Sequence, residues 1–260
     1  MSVTTPGEMF DLTDLKAVVV GGTGVLGSQF AKCLAGAGAS VVVLGRSTER
    51  GNAVVAEILA LGGTAEFLPI DVTERATIEV AASELATRGG IDILVNAPGV
   101  NSSVPFAELS EQEWHRILDV NLTSVFRLCQ VFAPLMYKRP NGSSIINISS
   151  ASSGPPLSRV FGYGVAKAGV NNLTQYLARE LSDEGVRVNA IIPGFFPAEQ
   201  NRALLTQARI DNIKKHTPLQ RLGVPEELDG TLLWLASPRA SGFVTGALVK
   251  VDGGFSAMTI

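Results

Sequence analysis

Seven short apolar runs, separated by stretches of helical periodicity, limit what this chain can fold into. They are AVVV (17–20), SVVVL (40–44), AEFLPI (65–70), IDILVN (91–96), SSIINIS (143–149), VRVNAII (186–192) and ALVKV (247–251). Continuous apolar runs of this length read as strands buried on both faces, which also accounts for the positive mean hydropathy. Between most of them lie helix signals. Leu26, Phe30, Cys33 and Ala37 step by four, three and four, and Ala166, Val170, Leu173, Leu177 and Leu181 step by threes and fours. SEQE (110–113) predicts a capping box, with Ser110 as N-cap and Glu113 reaching back, at the start of a helix through Trp114 and Leu118. Strands alternating with helices predict an α/β fold with a doubly wound parallel sheet of seven strands, flanked by helices, in one domain over 1–260. The stretch from Pro193 to about Pro225 is expected to be irregular, and long loops of that kind are usually functional.

The first strand runs into VVVGGTGVLG (18–27), which contains Gly22-x-Gly24-x-x-Gly27 and opens the first helix. Glycine there lets the chain turn with positive φ and lets backbone approach a pyrophosphate at a helix N-terminus. In that setting the motif predicts a dinucleotide-binding, Rossmann-type sheet. After the second strand, where an acid would hold the ribose hydroxyls of NAD(H), the chain has Gly45 followed by Arg46, Ser47 and Thr48. A guanidinium and hydroxyls suit a 2′-phosphate, so NADP(H) is favoured and NAD(H) stays possible.

YGVAK places Tyr163 and Lys167 one helical turn apart. With VNLT (Asn121), and NISS, whose Ser150 has twelve residues between it and Tyr163, the chain resembles the short-chain dehydrogenase/reductase family over nearly its whole length. The resemblance implies a catalytic set of Asn121, Ser150, Tyr163 and Lys167. A free phenol has a pKa of about 10, too high for a base near neutrality. An ammonium one turn away, and an oxidised nicotinamide nearby, favour the phenolate. Ser150 would donate to the substrate oxygen, and Asn121 would break its helix slightly and hold a water leading to Lys167.

The family's T-G-x-x-x-G-x-G falls on Val20 to Gly27, with Val20 and Val25 in place of Thr and the middle Gly, and Gly24 taking over the middle role. The cofactor set so implied is Gly21, Thr23, Gly24 and Leu26 at the turn, Arg46 and Ser47 after it, and Asp71 and Val72 beside the adenine. Asn96, Ala97 and Gly99 of NAPG continue it, with Pro98 lacking a backbone donor. Tyr163, Lys167, Pro193, Gly194 and Phe196 complete it at the nicotinamide. Ala198 stands where the family has a Thr.

The segment after Pro193 implies a substrate lid around 194–225, and PGFF…EQNR resembles the sugar-acid branch of D-mannonate oxidoreductases (fructuronate reductases) and gluconate dehydrogenases. Asn101, Ser150, Gln200 and Arg202 are the substrate candidates, Arg202 as a bidentate carboxylate clamp. A 3-oxoacyl-thioester or general carbonyl reductase is the competing reading, and a non-catalytic dinucleotide sensor is the reading from another class. A net charge of −3 argues against a nucleic-acid binder. Two separated cysteines and two histidines suggest neither disulfides nor a metal site. No leader and no apolar run of membrane length are read, so the expected setting is the cytoplasm. The resemblance implies a homotetramer, paired through the Trp114–Tyr137 and Tyr163–Leu181 helices.

Overall fold

The computed structural model of the protein describes residues 4–197 and 206–258. Each apolar run becomes a strand: β1 (Lys16–Val20), β2 (Ser40–Gly45), β3 (Thr64–Pro69), β4 (Ile93–Asn96), β5 (Ser143–Ile148), β6 (Val186–Pro193) and β7 (Leu248–Val251). They form one sheet in the order β3-β2-β1-β4-β5-β6-β7, and every pairing is parallel. Around it run α1 (Pro6–Phe10), α2 (Val25–Gly36), α3 (Thr48–Ala60), α4 (Arg75–Thr87), α5 (Glu111–Leu118) and α6 (Ser124–Phe132). α7 (Phe161–Glu180), α8 (Gln207–His216), α9 (Asp229–Ala236) and α10 (Pro238–Ser241) follow. None of the helices among the described residues is long and apolar enough to cross a membrane.

Successive strand residues point to opposite layers. Val19, Val43, Val95 and Ile146 pack with Phe30 and Leu34 of α2, Ile58 of α3 and Leu232 of α9. Val18, Val42, Leu94 and Ile145 pack with Ile78 of α4, Leu128 and Phe132 of α6 and Val170 of α7. Burial on both faces is why these runs carry no polar alternation. The strand order reverses at β1, so chains leaving β1 and β4 diverge and open a crevice beyond their carboxyl ends.

Glycine shapes that crevice. Gly21 turns with φ +74°, and a Cβ on it would come 2.6 Å from the Ala97 carbonyl oxygen. A Cβ on Gly27 would overlap the Gly21 carbonyl. Turn, helix and β4 loop therefore meet backbone to backbone. At Gly24, the N-cap of α2, a Cβ would meet only the Gly21 oxygen, at 3.4 Å.

Three local expectations are corrected. Ser110 does cap α5, its Oγ accepting from the Glu113 amide at 3.2 Å, but the Glu113 carboxylate turns to the Arg116 guanidinium at 2.6 and 2.8 Å. A full cation outcompetes a backbone N–H for a carboxylate, so the box closes on one side only. The helix from Trp114 does break at Asn121, as the resemblance implies, in a π turn over Asp119–Thr123. The segment expected to be irregular contains α8, capped by the Thr206 hydroxyl. The buried face of α7 runs through Ala166, Lys167, Val170 and Thr174, turned from the leucine stripe toward the small and polar residues.

Gly27→Ala is expected to lower unfolding free energy by about 1–3 kcal/mol through overpacking, whereas Gly24→Ala costs less than about 1 kcal/mol. Urea denaturation of both variants without cofactor checks this. Equal losses would mean that the backbone contact of Gly27 and Gly21 is unimportant.

Candidate active site

The crevice at the carboxyl ends of β1 and β4 is a cleft of about 490 Å³ that runs from the Arg46 region to Arg209. At one end it is walled by the glycine turn and by the ends of β2 and β3; at the other by β5, α7 and the chain after β6. Gly21, Thr23, Gly24, Leu26, Arg46, Asp71, Val72, Ala97 and Gly99 all line it, as do Pro193, Gly194 and Phe196.

At the β2 end, Gly45 presses on the turn: a Cβ there would come 2.8 Å from Thr23 Cγ2 and 2.9 Å from its Oγ1. An acidic side chain at 45 has no room without moving Thr23. Arg46 is exposed at this rim, and Arg50, which the sequence reading missed, lines the cleft from the first turn of α3. Burial raises the Asp71 pKa, but the Thr73 hydroxyl and amide, with the charge of Arg46, bring it below its usual value. That fixes Asp71 as a carboxylate beside a cation.

Two of the expected cofactor residues sit differently. Asn96 is fully buried; its amide donates to Asn147 Oδ1 at 2.9 Å and to Cys129 Sγ at 3.3 Å, so its side chain ties β4 to β5 beneath the cleft. Ser47 is the N-cap of α3, its Oγ accepting from the Arg50 amide at 3.3 Å. A short polar side chain just before a helix finds those orphan donors first. Both cysteines are free, and burial pushes each thiol up to about 12.

At the β5 end, the chain after β5 and helix α7 bring Ser150, Tyr163 and Lys167 into the cleft, with Asn121 on a π turn outside its lining. The π turn places Asn121 so that its Nδ2 donates to Ile117 O at 2.8 Å and Val100 O at 2.9 Å, while Oδ1 accepts from Val100 N–H at 3.2 Å. This clamps the chain leaving β4. Ser150 follows β5; its Oγ accepts from the Ser152 amide at 3.1 Å and hydrogen-bonds Tyr163. Tyr163 lies in the first turn of α7, and Lys167 one turn on is 2% exposed. The Lys167 ammonium donates to Ile148 O at 2.8 Å and Pro98 O at 3.3 Å and lies 5.7 Å from the Tyr163 ring centroid.

Electrostatics here departs from the sequence expectation. Burial raises the Tyr163 pKa above its ordinary value, and the hydrogen bond to Ser150 only partly offsets it. Burial also lowers Lys167 to about 8. The ammonium points at carbonyls, so the phenol of the protein alone is a proton donor rather than a base.

On the substrate side, Asn101 lines the cleft, and its Oδ1 accepts from the Ser102 amide at 2.8 Å. Gln200 and Arg202, with Ala198, lie outside the described residues. Arg209, which no sequence signal singled out, lines this end; Nη1 and Nη2 donate to Ser158 Oγ at 3.1 Å and Ser158 O at 2.8 Å.

Residues 23–256 match the family described as enoyl-(acyl carrier protein) reductase. The chain is 40% identical to the uncharacterized oxidoreductase UxuB of Bacillus subtilis (strain 168), covering 95% of this chain and 96% of that one. It is 35% identical to a 3-oxoacyl-[acyl-carrier-protein] reductase of Synechocystis sp. (strain ATCC 27184 / PCC 6803 / Kazusa), over 95% and 98%. Among solved structures, the gluconate 5-dehydrogenase of Burkholderia cenocepacia J2315, in complex with NADP and tartrate, superposes with a TM-score of 0.93 at 33% identity, over 98% of this chain and 100% of that one. With these matches over nearly its whole length, the chain belongs to the short-chain dehydrogenase/reductase family of NAD(P)-dependent oxidoreductases.

Proposed function

We propose that the protein is an NADP(H)-preferring oxidoreductase that moves a hydride between the nicotinamide and a sugar acid or polyol, in the manner of gluconate or D-mannonate/fructuronate enzymes. The observation that carries this is the meeting of Ser150, Tyr163 and Lys167 in the same cleft as the glycine turn. The residues fit the cofactor. A glycine turn at the N-terminus of α2, bordering the cleft through Gly21, Gly24 and Gly27, suits a pyrophosphate, and Arg46 and Arg50 beside a side-chain-free Gly45 suit a 2′-phosphate. Pro193, Gly194 and Phe196 would border the nicotinamide.

The bound cofactor supplies the hydride chemistry. Tyr163 carries the proton: its hydroxyl gives one to the forming alkoxide in reduction and takes one from the alcohol in oxidation. Ser150 donates a hydrogen bond to the same oxygen. Lys167 supplies a positive charge one turn below the phenol and would hold the ribose hydroxyls of the bound cofactor. Asn121 positions the β4 loop and leads a water toward Lys167. A non-catalytic sensor needs a nucleotide cradle but not this constellation.

The similar Synechocystis enzyme keeps a 3-oxoacyl-thioester reductase as the second reading. Initial rates over a panel of keto sugar acids, ketoses and acetoacetyl thioester, with NADPH and NADH, separate them. The expected result is the highest kcat/KM for a sugar acid or ketose with NADPH, and loss of at least about a hundred-fold in kcat for Tyr163→Phe with cofactor binding retained. A Tyr163→Phe enzyme near wild-type rate would remove the tyrosine from its role; preference for the thioester would favour the second reading.

A homotetramer belongs to the same proposal. Phe126 and Tyr137 on the α6 side, and Phe161, Val165 and Tyr176 on α7, expose apolar surface along the helices expected to pair. Sedimentation at micromolar concentration is expected to give four times the 27.3 kDa chain mass, and a lone 27.3 kDa species would refute pairing.

A further inference from the structure

We propose that Arg209 and Arg159 form an anion subsite at the substrate end of the cleft, and that it takes the carboxylate of a sugar acid. The proposal rests on the sugar-acid reading above and adds to it the residues that recognise the acid group.

Arg209 is the third residue of α8, and its amide donates to the Thr206 cap at 3.4 Å. The helix thus aims its side chain back across the opening, where the guanidinium meets Ser158. Ser158 lies on the loop joining Ser150 to Tyr163. Arg209 is therefore tied to the stretch of chain that carries both residues facing the reacting oxygen, far from the glycine turn and Arg46. This separates it from the phosphate-binding end.

Arg159 follows Ser158 directly and holds the left-handed conformation, φ +64°. Side chains with a Cβ seldom occupy that region, and such strain persists where the surroundings over-determine it. Arg159 lines a second cavity of about 630 Å³ that shares Ser152, Leu157 and Val160 with the main cleft. The loop over 157–160 thus borders both spaces, with Arg209 lining the main cleft and Arg159 the second cavity.

The two charges are close enough to matter. Burial, and then the charge of Arg159, hold the Arg209 guanidinium below its ordinary pKa. Among the described residues no carboxylate makes an ion pair with either arginine. Ser158 offers only neutral acceptors, so the positive charge of Arg209 is hydrogen-bonded but not neutralised. Elsewhere in the chain several arginines do have a carboxylate: Arg116 has Glu113, Arg127 has Asp119 and Arg221 has Glu227. Among the described residues neither charge has a carboxylate, so the two repel, and an anion held at Arg209 in the main cleft would be attracted by both. A guanidinium fork matches the plane of a carboxylate. With the hydroxyl-bearing carbon held at Ser150 and Tyr163, the acid end of the same chain extends to this pair.

The test uses the full-length enzyme and two readouts. Tartrate, a small hydroxy dicarboxylate, serves as a binding probe by calorimetry with NADPH present, where no hydride can be passed to it. Gluconate and glucitol, an acid and its neutral polyol, are compared in oxidation. Arg209→Ala is expected to weaken tartrate binding and to lower the acid-to-polyol ratio of kcat/KM, each by about ten- to a hundred-fold, mostly through KM. Arg209→Lys should recover part of this, and Arg159→Ala should act in the same direction with a smaller size. NADPH affinity of each variant reports whether the cleft is intact.

Unchanged tartrate affinity in Arg209→Ala, an unchanged acid-to-polyol ratio, or absence of tartrate binding by the wild type each overturns the subsite. The two levels fail separately. A wild type that binds tartrate through Arg209 but oxidises no sugar acid keeps the subsite and removes the substrate reading. A wild type that oxidises gluconate with a ratio indifferent to Arg209 does the reverse.

Discussion

A buried ammonium holds this site together. Lys167 is 2% exposed, and its charge is met by the carbonyl oxygens of Ile148 at the end of β5 and Pro98 in the loop after β4. Burying an ammonium without hydrogen bonds would cost several kcal/mol, so these carbonyls must stay where they are. One side chain thereby fixes three elements relative to one another: the β4 loop that passes the glycine turn, the β5 end that leads to Ser150, and the helix that presents Tyr163. Burial lowers Lys167 to about 8. An ammonium so placed is also ready to give part of its hydrogen bonding to a new acceptor.

The layer beneath repeats the device with neutral groups. Asn96 Nδ2 reaches Asn147 Oδ1, Asn147 Nδ2 reaches Thr174 Oγ1 at 3.0 Å, and the Thr174 hydroxyl donates to Val170 O at 2.8 Å. This chain of buried bonds joins β4, β5 and α7 directly below Lys167. Above it, Asn121 clamps Val100 by both its N–H and its carbonyl. Buried polar networks of this kind favour one arrangement of a core over many, although the Asn96 side-chain oxygen has no partner among the described residues. Positioning on that scale is what a proton carrier and a hydride acceptor need, since small misplacements cost large factors in rate.

The strands were legible because a parallel sheet covered on both faces leaves an unbroken apolar run, and the strand ends moved by only a residue or two. Ser150, Tyr163 and Lys167 were legible because their chemistry requires fixed spacing along one strand-to-helix passage. What the sequence hid depends on contacts between distant segments. Asn96 and Ser47 have the composition of ligand groups, yet a neighbouring asparagine and a helix start claim them first. Glu113 was read as a cap partner, and Arg116 three residues on outbid the backbone. The phenol was expected to feel its lysine most, but burial of both outweighs the charge between them. Arg209 carries no local signal, because its meaning comes from Ser158, fifty-one positions earlier.

The central claim is that this protein keeps Tyr163 protonated until an oxidised cofactor lies beside it and Lys167. Tyr163 is one of three tyrosines, so a Tyr137→Phe/Tyr176→Phe background leaves it as the only phenol in the chain. Its ionisation can then be followed by ultraviolet difference absorbance against pH in the free protein, with NADP+ and with NADPH. The account predicts a pKa above the ordinary value of about 10 in the free protein and a fall of more than about one unit with NADP+. NADPH, lacking the ring's positive charge, should give a much smaller fall. The same pKa in all three states would contradict the account, and a free-protein pKa already near neutrality would place the activating charge in the chain rather than in the cofactor.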